Sequence, residues 1–327
     1  MHSRLSGLLL AAVLVFVTPA WAQTPSAQAP AAQTHRNPEA DFIAWVQHIQ
    51  DLLQRAGGGM EALGRAGGAF DNTDPAARLA ALHDLSTAAV QARATIAAIQ
   101  PDLDAIQPFT EPGVRPLYYQ LGTSLLTNTR EVIGKLDDLL ADMIDLVRAV
   151  DAHDTATVQR LSPRLIQGLV VLVQGQAIML RARQVTITTS NPSYHTLTAM
   201  AAMYDGMAGL IGDGQNFDPA VTDRAADAID QAVSQYRASL APLPASPHPG
   251  MSDAQWEAAL GILNRNIATD QGVAQVLRTA AQEGRAGAST IDIRMNHIAE
   301  LSVFEQQYQQ NSRDLLNVAA QAAQAGH

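Results

Sequence analysis

Apolar side chains recur along most of this chain at intervals of three and four residues, the spacing of one face of an α-helix. The segment after Asp74-Pro75 shows this most clearly, because its apolar positions step by 3, 4, 3, 4 and 3. These positions are Leu82, Leu85, Ala89, Ala92, Ile96 and Ile99. The pattern predicts a helix with a heptad seam, and we expect Pro101 to break or kink it.

Two later segments carry the same spacing. Residues 116–151 have two adjacent heptad stripes, and residues 289–323 have one apolar face opposite a Gln-rich side. A short run of alternating β-branched residues at 185–190 has no partner strand, so we interpret it as a frayed helix end.

Helix starts are marked by a capping residue followed by proline. Asn, Asp and Ser accept hydrogen bonds from first-turn N–H groups, and proline has no N–H to leave unpaired there. The chain contains Asn37-Pro38, Asp74-Pro75, Ser162-Pro163, Asn191-Pro192 and Asp218-Pro219. Arg115-Pro116, a capping box at Ser252 and Gln255, and Ser289 give three more starts. The predicted helices span about 38–56, 75–100, 116–151, 163–189, 192–212, 219–241, 253–283 and 289–323.

The fold class predicted is therefore all-α, a multi-helix bundle of helical hairpins with about eight helices. Residues 241–250 are Pro-rich and predict a stiff linker. On this basis residues 38–240 form the main bundle and residues 251–327 a C-terminal helical hairpin. The hairpin either stands alone or packs back on the rest of the chain. Alternatively, residues 241–250 are only a long loop inside one domain.

The N-terminus has the layout of a secretory signal peptide over residues 1–22. Arg4 supplies the positive charge, Leu8 to Val17 the apolar region, and Ala20 and Ala22 the small residues before cleavage. Cleavage after Ala22 would leave a polar leader at 23–37 and a periplasmic or secreted protein. The only later apolar run, residues 165–180, is interrupted by glutamines. We interpret it as a buried core helix and expect no membrane insertion after cleavage.

Composition narrows the function classes. The chain has no cysteine, which excludes disulfides, thiolate metal sites and a cysteine nucleophile. With 21 basic and 31 acidic residues its formal net charge is −10. A nucleic-acid binder needs a basic surface to displace counterions, so nucleic acid is not an expected partner.

Two clusters have side chains that bind metals. Asp138, Asp142 and Asp145 lie on one face of the third predicted helix, where carboxylates could hold a divalent cation. Met200, Met203 and Met207 follow His195 on the fifth, and thioethers with imidazole suit Cu(I). We favour the simpler interpretations, a solvated acidic face and core-filling methionines. No cofactor is therefore expected.

Aromatic residues on the third and fifth helices are the best candidates for a small-molecule pocket. They are Tyr118, Tyr119, Tyr194, His195 and Tyr204. Packing in the bundle core is the alternative role for the same side chains. The Gly-rich residues 55–68 are interpreted as a connection between helices, because a phosphate-binding loop needs a preceding strand and the P-loop form a lysine.

Three functions stay open at this level. The sequence favours a non-enzymatic exported protein that contacts another protein or itself through amphipathic helices. The alternative is a periplasmic protein that binds a small molecule or metal inside the bundle. The third is a helical enzyme with a dispersed site, for which no catalytic residue can be named.

Overall fold

The computed structural model describes residues 38–58, 62–63, 75–110, 116–184, 187–212, 217–245 and 251–325. Within these residues the chain forms eight α-helices and no strand, which confirms the all-α bundle. The helices are α1 (Pro38–Gly58), α2 (Pro75–Ala105), α3 (Pro116–Asp151), α4 (Thr155–Gln184), α5 (Pro192–Ile211), α6 (Pro219–Leu240), α7 (Asp253–Arg285) and α8 (Thr290–Ala325). The predicted signal peptide, the leader and most of the Gly-rich segment lie outside the described residues.

Three predicted caps are confirmed by their hydrogen bonds. The Asp218 carboxylate accepts from the backbone N–H of Ala220 at 2.9 Å and starts α6. Ser252 and Gln255 form the reciprocal capping box of α7. The Asn191 side chain accepts from the N–H of Ser193 at 2.9 Å at the start of α5. Helices α1 to α3 also begin at prolines, although the residues before those prolines are outside the described part.

The predicted start of α4 at Ser162-Pro163 is wrong. The helix begins at Thr155, because Asp154 accepts from the N–H of Thr157 at 3.1 Å and caps it eight residues earlier. Ser162 lies inside the helix and donates to the Val158 carbonyl at 2.8 Å. Pro163 is tolerated because the carbonyl it leaves unpaired belongs to exposed Gln159. The helix also ends at Gln184, and residues 187–190 form a bend and turn rather than a continuing helix end.

Pro101 does not break the helix, since α2 continues to Ala105. The carbonyl that loses its partner belongs to Ala97, which is exposed to water. Arg130 on α3 then stabilises the end of α2. Its Nη2 donates to the carbonyls of Leu103, Asp104 and Ile106 at 3.2, 3.1 and 2.9 Å. A cation that binds the last carbonyls of a helix is a favourable C-terminal arrangement.

The chain divides into two compact units. The first contains α1 to α3 and α4 as far as Met179. The predicted seam of α2 lies in its core: Leu85, Ala89, Ala92, Ile96 and Ile99 are buried and Leu82 is half-buried. Arg93 on α2 makes a two-pronged ion pair with Asp137 on α3, at 2.8 and 2.9 Å.

The second unit contains the end of α4 from Leu180, α5 as far as Leu210, and α6 to α8. Within it α7 packs along both α6 and α8. The boundary predicted at residues 241–250 therefore does not separate the units, because helices on either side of it share one core. Residues 246–250 are outside the described part, and Leu243–Ala245 form a single 3-10 turn.

Several helix contacts in the second unit depend on glycine. A Cβ placed on Gly206 of α5 would lie 2.7 Å from Leu277 and 3.2 Å from Ala225. On α7, Gly272 faces the ring of Phe304 and Gly284 the ring of Phe217. Each large side chain therefore occupies the space that a Cβ would need.

Among the described residues, α4 alone is long and apolar enough to meet the criteria for a membrane span. Its 30 residues exceed the run considered in the sequence, since the helix begins earlier than predicted. Half of its most apolar window is buried inside the protein. The core helix of a protein with no membrane segment meets the same criteria.

Substitution of Gly206 by alanine tests the close packing of Leu277 and Ala225 against α5. We expect Gly206→Ala to lower the free energy of unfolding by about 1–3 kcal/mol, because Leu277 is fully buried and has little room to move. Gly261→Ala on α7 is the matched control, since no atom lies within 4 Å of its added Cβ. That variant should be stabilised by up to about 1 kcal/mol. Denaturant titration measures both, and equal effects would contradict the packing described.

Candidate functional site

Two carboxyl groups are enclosed in the core of the second unit. Asp270 on α7 is 0% exposed and Glu305 on α8 is 1% exposed. Tyr204 on α5 donates its hydroxyl to Glu305 Oε1 at 2.8 Å, and Tyr308 on α8 donates to Asp270 Oδ1. The second oxygen of each acid has no hydrogen-bond partner among the described residues. Each carboxyl group is thus held by one tyrosine and otherwise surrounded by packed side chains.

Asn266 and Asp270 are polar, but their spacing on α7 places them on its buried face. Leu263, Asn266, Asp270, Val273 and Leu277 step by 3, 4, 3 and 4 and are all buried. Polar residues occupy two positions of an otherwise apolar seam. The spacing is visible in the sequence, although Asp270 and Glu305 were not among the predicted site residues.

Burial determines the protonation of these acids. It raises the pKa of Glu305 from 4.5 to about 8, and the hydrogen bond from Tyr204 only partly opposes this. Burial also raises the pKa of Asp270 well above its ordinary value, again opposed by its tyrosine. A buried ionised carboxylate without a cation is costly. At neutral pH Glu305 therefore carries a proton.

A chain of hydrogen bonds, here called the polar relay, links Arg265 and Asn266 on α7 to Asn311 on α8. Arg265 Nε donates to Asn311 Oδ1 at 3.1 Å, and Asn311 Nδ2 donates to Asn266 Oδ1 at 2.8 Å. Arg265 also pairs with Asp314 at 2.7 Å, which fixes its direction. Both amide oxygens accept within the relay. The remaining hydrogen-bonding group of Asn266 is its Nδ2, a donor, and a side-chain hydrogen bond from Asn266 partly opposes the rise that burial causes in the pKa of Tyr236.

Beside this relay the second unit contains a cavity of about 280 Å³. Its apolar walls come from Ile187, Leu197, Met200, Leu263, Leu315 and Ala319. Its polar lining comes from Arg183, Ser193, Thr196, Asn266, Asn311 and Ser312. Burial lowers the pKa of Arg183, the one residue with a formal charge among the described lining residues. The cavity thus combines apolar walls with a few polar groups, the usual composition of a small-molecule site.

The five residues predicted for a pocket fall in several places. The buried His195 ring lies 5.4 Å from that of Tyr194 and 6.0 Å from that of Tyr236. Burial lowers the pKa of His195, which favours neutral imidazole. Tyr204 binds Glu305, as described above. Tyr119 belongs to the first unit, 6.5 Å from the Phe109 ring, and the Tyr118 side chain is outside the description.

The four of those five residues whose side chains are described do not line the cavity, although neighbours of two of them on α5 do. Ser193 and Thr196 flank Tyr194 and His195 and both line it. The sequence therefore indicated the helix that supplies part of the wall, but not the face of that helix. Periodicity alone gave no way to choose between a face that fills the core and one that borders a cavity.

The acidic cluster on α3 is divided among three cations. Asp142 is buried and pairs with Arg164 at 3.0 Å, and burial raises its pKa. Asp138 lies 3.8 Å from Lys135, and Asp145 lies 3.3 Å from Arg148. Such pairing fits the solvated, charge-balanced face that the sequence favours for the two outer residues. Buried Asp142 departs from it.

The methionines on α5 are all buried: Met200, Met203 and Met207. Met200 also lines the cavity. His297 on α8 is buried between two acids, with its ring nitrogens 2.9 Å from Glu283 and from Glu300. Within the described residues no three His, Asp or Glu side chains are arranged to hold a metal ion.

Comparison with known proteins adds no relative. No family model matches the chain, and no curated protein or solved structure shows significant similarity to it. The class defined here is therefore an all-α bundle with a buried acid–tyrosine core and a lined cavity in its second unit.

The buried acids predict how stability depends on pH. Glu305 keeps its proton in the folded state up to a pH of about 8 but loses it near 4.5 when unfolded. Folding therefore takes up a proton between these values, and the free energy of unfolding falls as pH rises through that window. The share from Glu305 is at most about 1.4 kcal/mol per pH unit. Above the window it contributes no further change.

Glu305→Gln isolates this contribution, because glutamine keeps an acceptor for Tyr204 and does not titrate. Denaturant melts across pH 4.5 to about 8 should give a shallower slope in this variant than in the parent chain. Glu257→Gln, at an exposed site on the neighbouring helix α7, is the control and should leave the slope unchanged. Equal slopes in the parent and Glu305→Gln would contradict the assignment.

Proposed function

We propose that this protein binds a small, largely apolar molecule in the cavity of its second unit. The observation that carries the proposal is the cavity itself, which joins aliphatic walls to an oriented polar relay. Small-molecule sites typically have this composition. The proposal takes the second of the three functions that the sequence left open and gives it a location.

The size of the cavity supports a ligand of limited mass. An apolar cavity of about 150 Å³ holds benzene, and the present one is about 280 Å³. By proportion it accommodates roughly ten to twelve non-hydrogen atoms. Leu197, Met200 and Leu263 are each less than 10% exposed, so their side chains provide a wall that excludes water.

Export is part of the same proposal. The N-terminal charge, apolar run and Ala20-Trp21-Ala22 sequence support a periplasmic or secreted location. A mature chain that begins at Gln23 would agree with it. The intact mass of the protein from its host measures this directly, and retention of Met1 in the exported fraction would contradict it.

Native mass spectrometry of protein purified from its host without chelator tests the binding function. We expect a bound small molecule that solvent extraction releases. Ala319 lines the cavity and is itself exposed, so the chain can accept a larger side chain there. Ala319→Phe should therefore remove the ligand, because the phenyl ring fills the cavity. Ala320→Phe adds the same side chain next to it, where it does not line the cavity, and should retain the ligand.

Three results would contradict the proposal. The first is a bare polypeptide mass for the parent chain together with no molecule in the extract. The second is a ligand that both phenylalanine variants retain equally. The third is a metal in place of an organic molecule, detected by elemental analysis of the same sample.

Association through α2 is a second candidate function, and one observation favours it. Leu79 and Val90 are 45% and 53% exposed, and their separation of 11 residues places them on one face of the helix. Between Leu79 and Ala98, several side chains of α2 are described as exposed. Among these, only that of Asp84 carries a formal charge. Small and apolar residues on an exposed face allow a second helix to approach closely. We take a second copy of the chain as the partner.

Light scattering coupled to size exclusion tests this self-association across a range of protein concentrations. A parent oligomer should become a monomer in the double variant Leu79→Glu, Val90→Glu, because two buried charges would oppose the contact. Val303→Glu alters an equally exposed valine on α8 and should not change the mass. A parent chain that is monomeric at every concentration would reject this candidate.

A further inference from the structure

We propose that the cavity of the second unit binds an uncharged hydrocarbon, a molecule without hydrogen-bonding groups, and that Tyr236 is the positioning residue that sets this preference. The inference rests on the proposed binding function and specifies the chemistry of the ligand. It is carried by two observations: most polar lining residues already have partners within the protein, and the most enclosed walls are apolar.

Tyr236 on α6 is the partner of two of these residues. Its side chain is 0% exposed and does not line the cavity. Thr196 on α5 and Asn266 on α7 line the cavity, and both hydrogen-bond to the Tyr236 hydroxyl group. Each bond partly opposes the rise that burial causes in the pKa of Tyr236, as a donor to the phenol oxygen does. Both bonds depart from ideal geometry, but the Thr196 hydroxyl group is itself buried. One buried hydroxyl group thus occupies two polar groups of the lining.

The other two paired lining residues are Asn311 and Arg183. Asn311 donates to Asn266 Oδ1 at 2.8 Å and accepts from Arg265 at 3.1 Å, so both ends of its amide group are in use. Arg183 also has a partner within the protein. Burial lowers the pKa of Arg183, because its surroundings solvate a charge poorly. A ligand that needs a hydrogen bond would therefore have to displace an existing one.

The most enclosed part of the lining is apolar. Leu197, Met200 and Leu263 are each less than 10% exposed. The remaining hydroxyl groups of the described lining belong to Ser193 and Ser312, which are half-buried rather than enclosed. A hydrocarbon placed against the three enclosed side chains gains by leaving water and loses no hydrogen bond.

Both signs of charge are disfavoured on a ligand. None of the described lining residues is an aspartate or glutamate, so an ammonium group finds no counter-ion there. A carboxylate finds only Arg183, which already has a partner. An ionised group that leaves water without a free partner of opposite charge loses its solvation at a large cost. The cavity therefore selects for uncharged molecules, and among these for molecules without a hydroxyl group.

Four probes with a phenyl ring and a four-carbon chain test the inference: butylbenzene, 4-phenyl-1-butanol, 4-phenylbutanoate and 4-phenylbutylamine. Each has about ten to twelve non-hydrogen atoms, the number that the cavity accommodates. Equilibrium dialysis against the full chain at neutral pH measures binding through the ultraviolet absorbance of the ring. Butylbenzene should bind about 10- to 100-fold more tightly than 4-phenyl-1-butanol, because the buried hydroxyl group of the alcohol would lack a partner. The two ionised probes should bind more weakly still.

Tyr236→Phe separates this selectivity from simple hydrophobicity. The substitution keeps the ring but frees Thr196 and Asn266, so the hydroxyl group of the alcohol can take the place of the tyrosine hydroxyl. The preference for butylbenzene over the alcohol should shrink about 3- to 10-fold, while binding of butylbenzene itself stays unchanged. Tyr204→Phe is the matched control, because it removes another fully buried hydroxyl group, which bonds Glu305 and does not line the cavity. It should leave the preference unchanged, and thermal melts confirm that both variants are folded.

Thr196→Val gives a second test that does not depend on the folding of Tyr236→Phe. Valine has the shape of threonine without its hydroxyl group. Because that hydroxyl group is bonded to Tyr236 in the parent chain, its loss should not weaken the binding of 4-phenyl-1-butanol relative to butylbenzene. Weaker binding of the alcohol with unchanged binding of butylbenzene would mean that Thr196 bonds the ligand, and the inference would be wrong.

The remaining outcomes separate this inference from the function beneath it. If none of the four probes binds, the binding function itself fails. If the alcohol or an ionised probe binds as tightly as butylbenzene, the hydrocarbon assignment is overturned while the cavity keeps its function. If Tyr236→Phe and Tyr204→Phe change the preference equally, or if neither changes it, the positioning role of Tyr236 is overturned.

Discussion

The enclosure of two carboxyl groups among apolar helices is the constraint on which the second unit depends. Neither Asp270 nor Glu305 can ionise there without a large loss of solvation. Burial raises the pKa of both acids, and a tyrosine hydroxyl donates a hydrogen bond to each. These contacts tie α5 to α8 and α8 to α7. Because a buried polar group loses most of its value if its partner moves, the helices have few alternative arrangements.

The polar relay connects the core to the cavity. Asn266 lies one turn before Asp270 on α7, and Asn311 lies one turn after Tyr308 on α8. One stretch of helix–helix contact thus supplies both a proton-holding interior and an oriented amide pair at the cavity wall. The amides owe their direction to Arg265 at the surface. If the cavity binds a ligand as proposed, an amide pair already held in one orientation reduces the entropy lost on binding.

Local chemistry made much of the fold predictable. The start of α6 follows from Asp218 and that of α7 from Ser252, because each cap depends on residues within one turn of itself. The start of α4 was predicted wrongly, and α2 is not broken at Pro101, because other local groups also act at these positions. Asp154 caps α4 ahead of Ser162, and water at an exposed carbonyl allows Pro101 to remain inside α2. The candidate site was harder to predict from the sequence than the fold. A heptad pattern predicts that position 270 is buried, but not which tyrosine meets it, since that depends on a partner 38 residues away.

The glycines of α5 and α7 have a consequence for the alignment of the helices. Helices with smooth surfaces of small residues can slide past one another, but Phe304 and Phe217 each fit a single gap, at Gly272 and Gly284. A shift of one turn, about 5.4 Å, would press a phenyl ring against an ordinary side chain. The two gaps therefore fix the axial position of α7 by the shape of its surface rather than by charge.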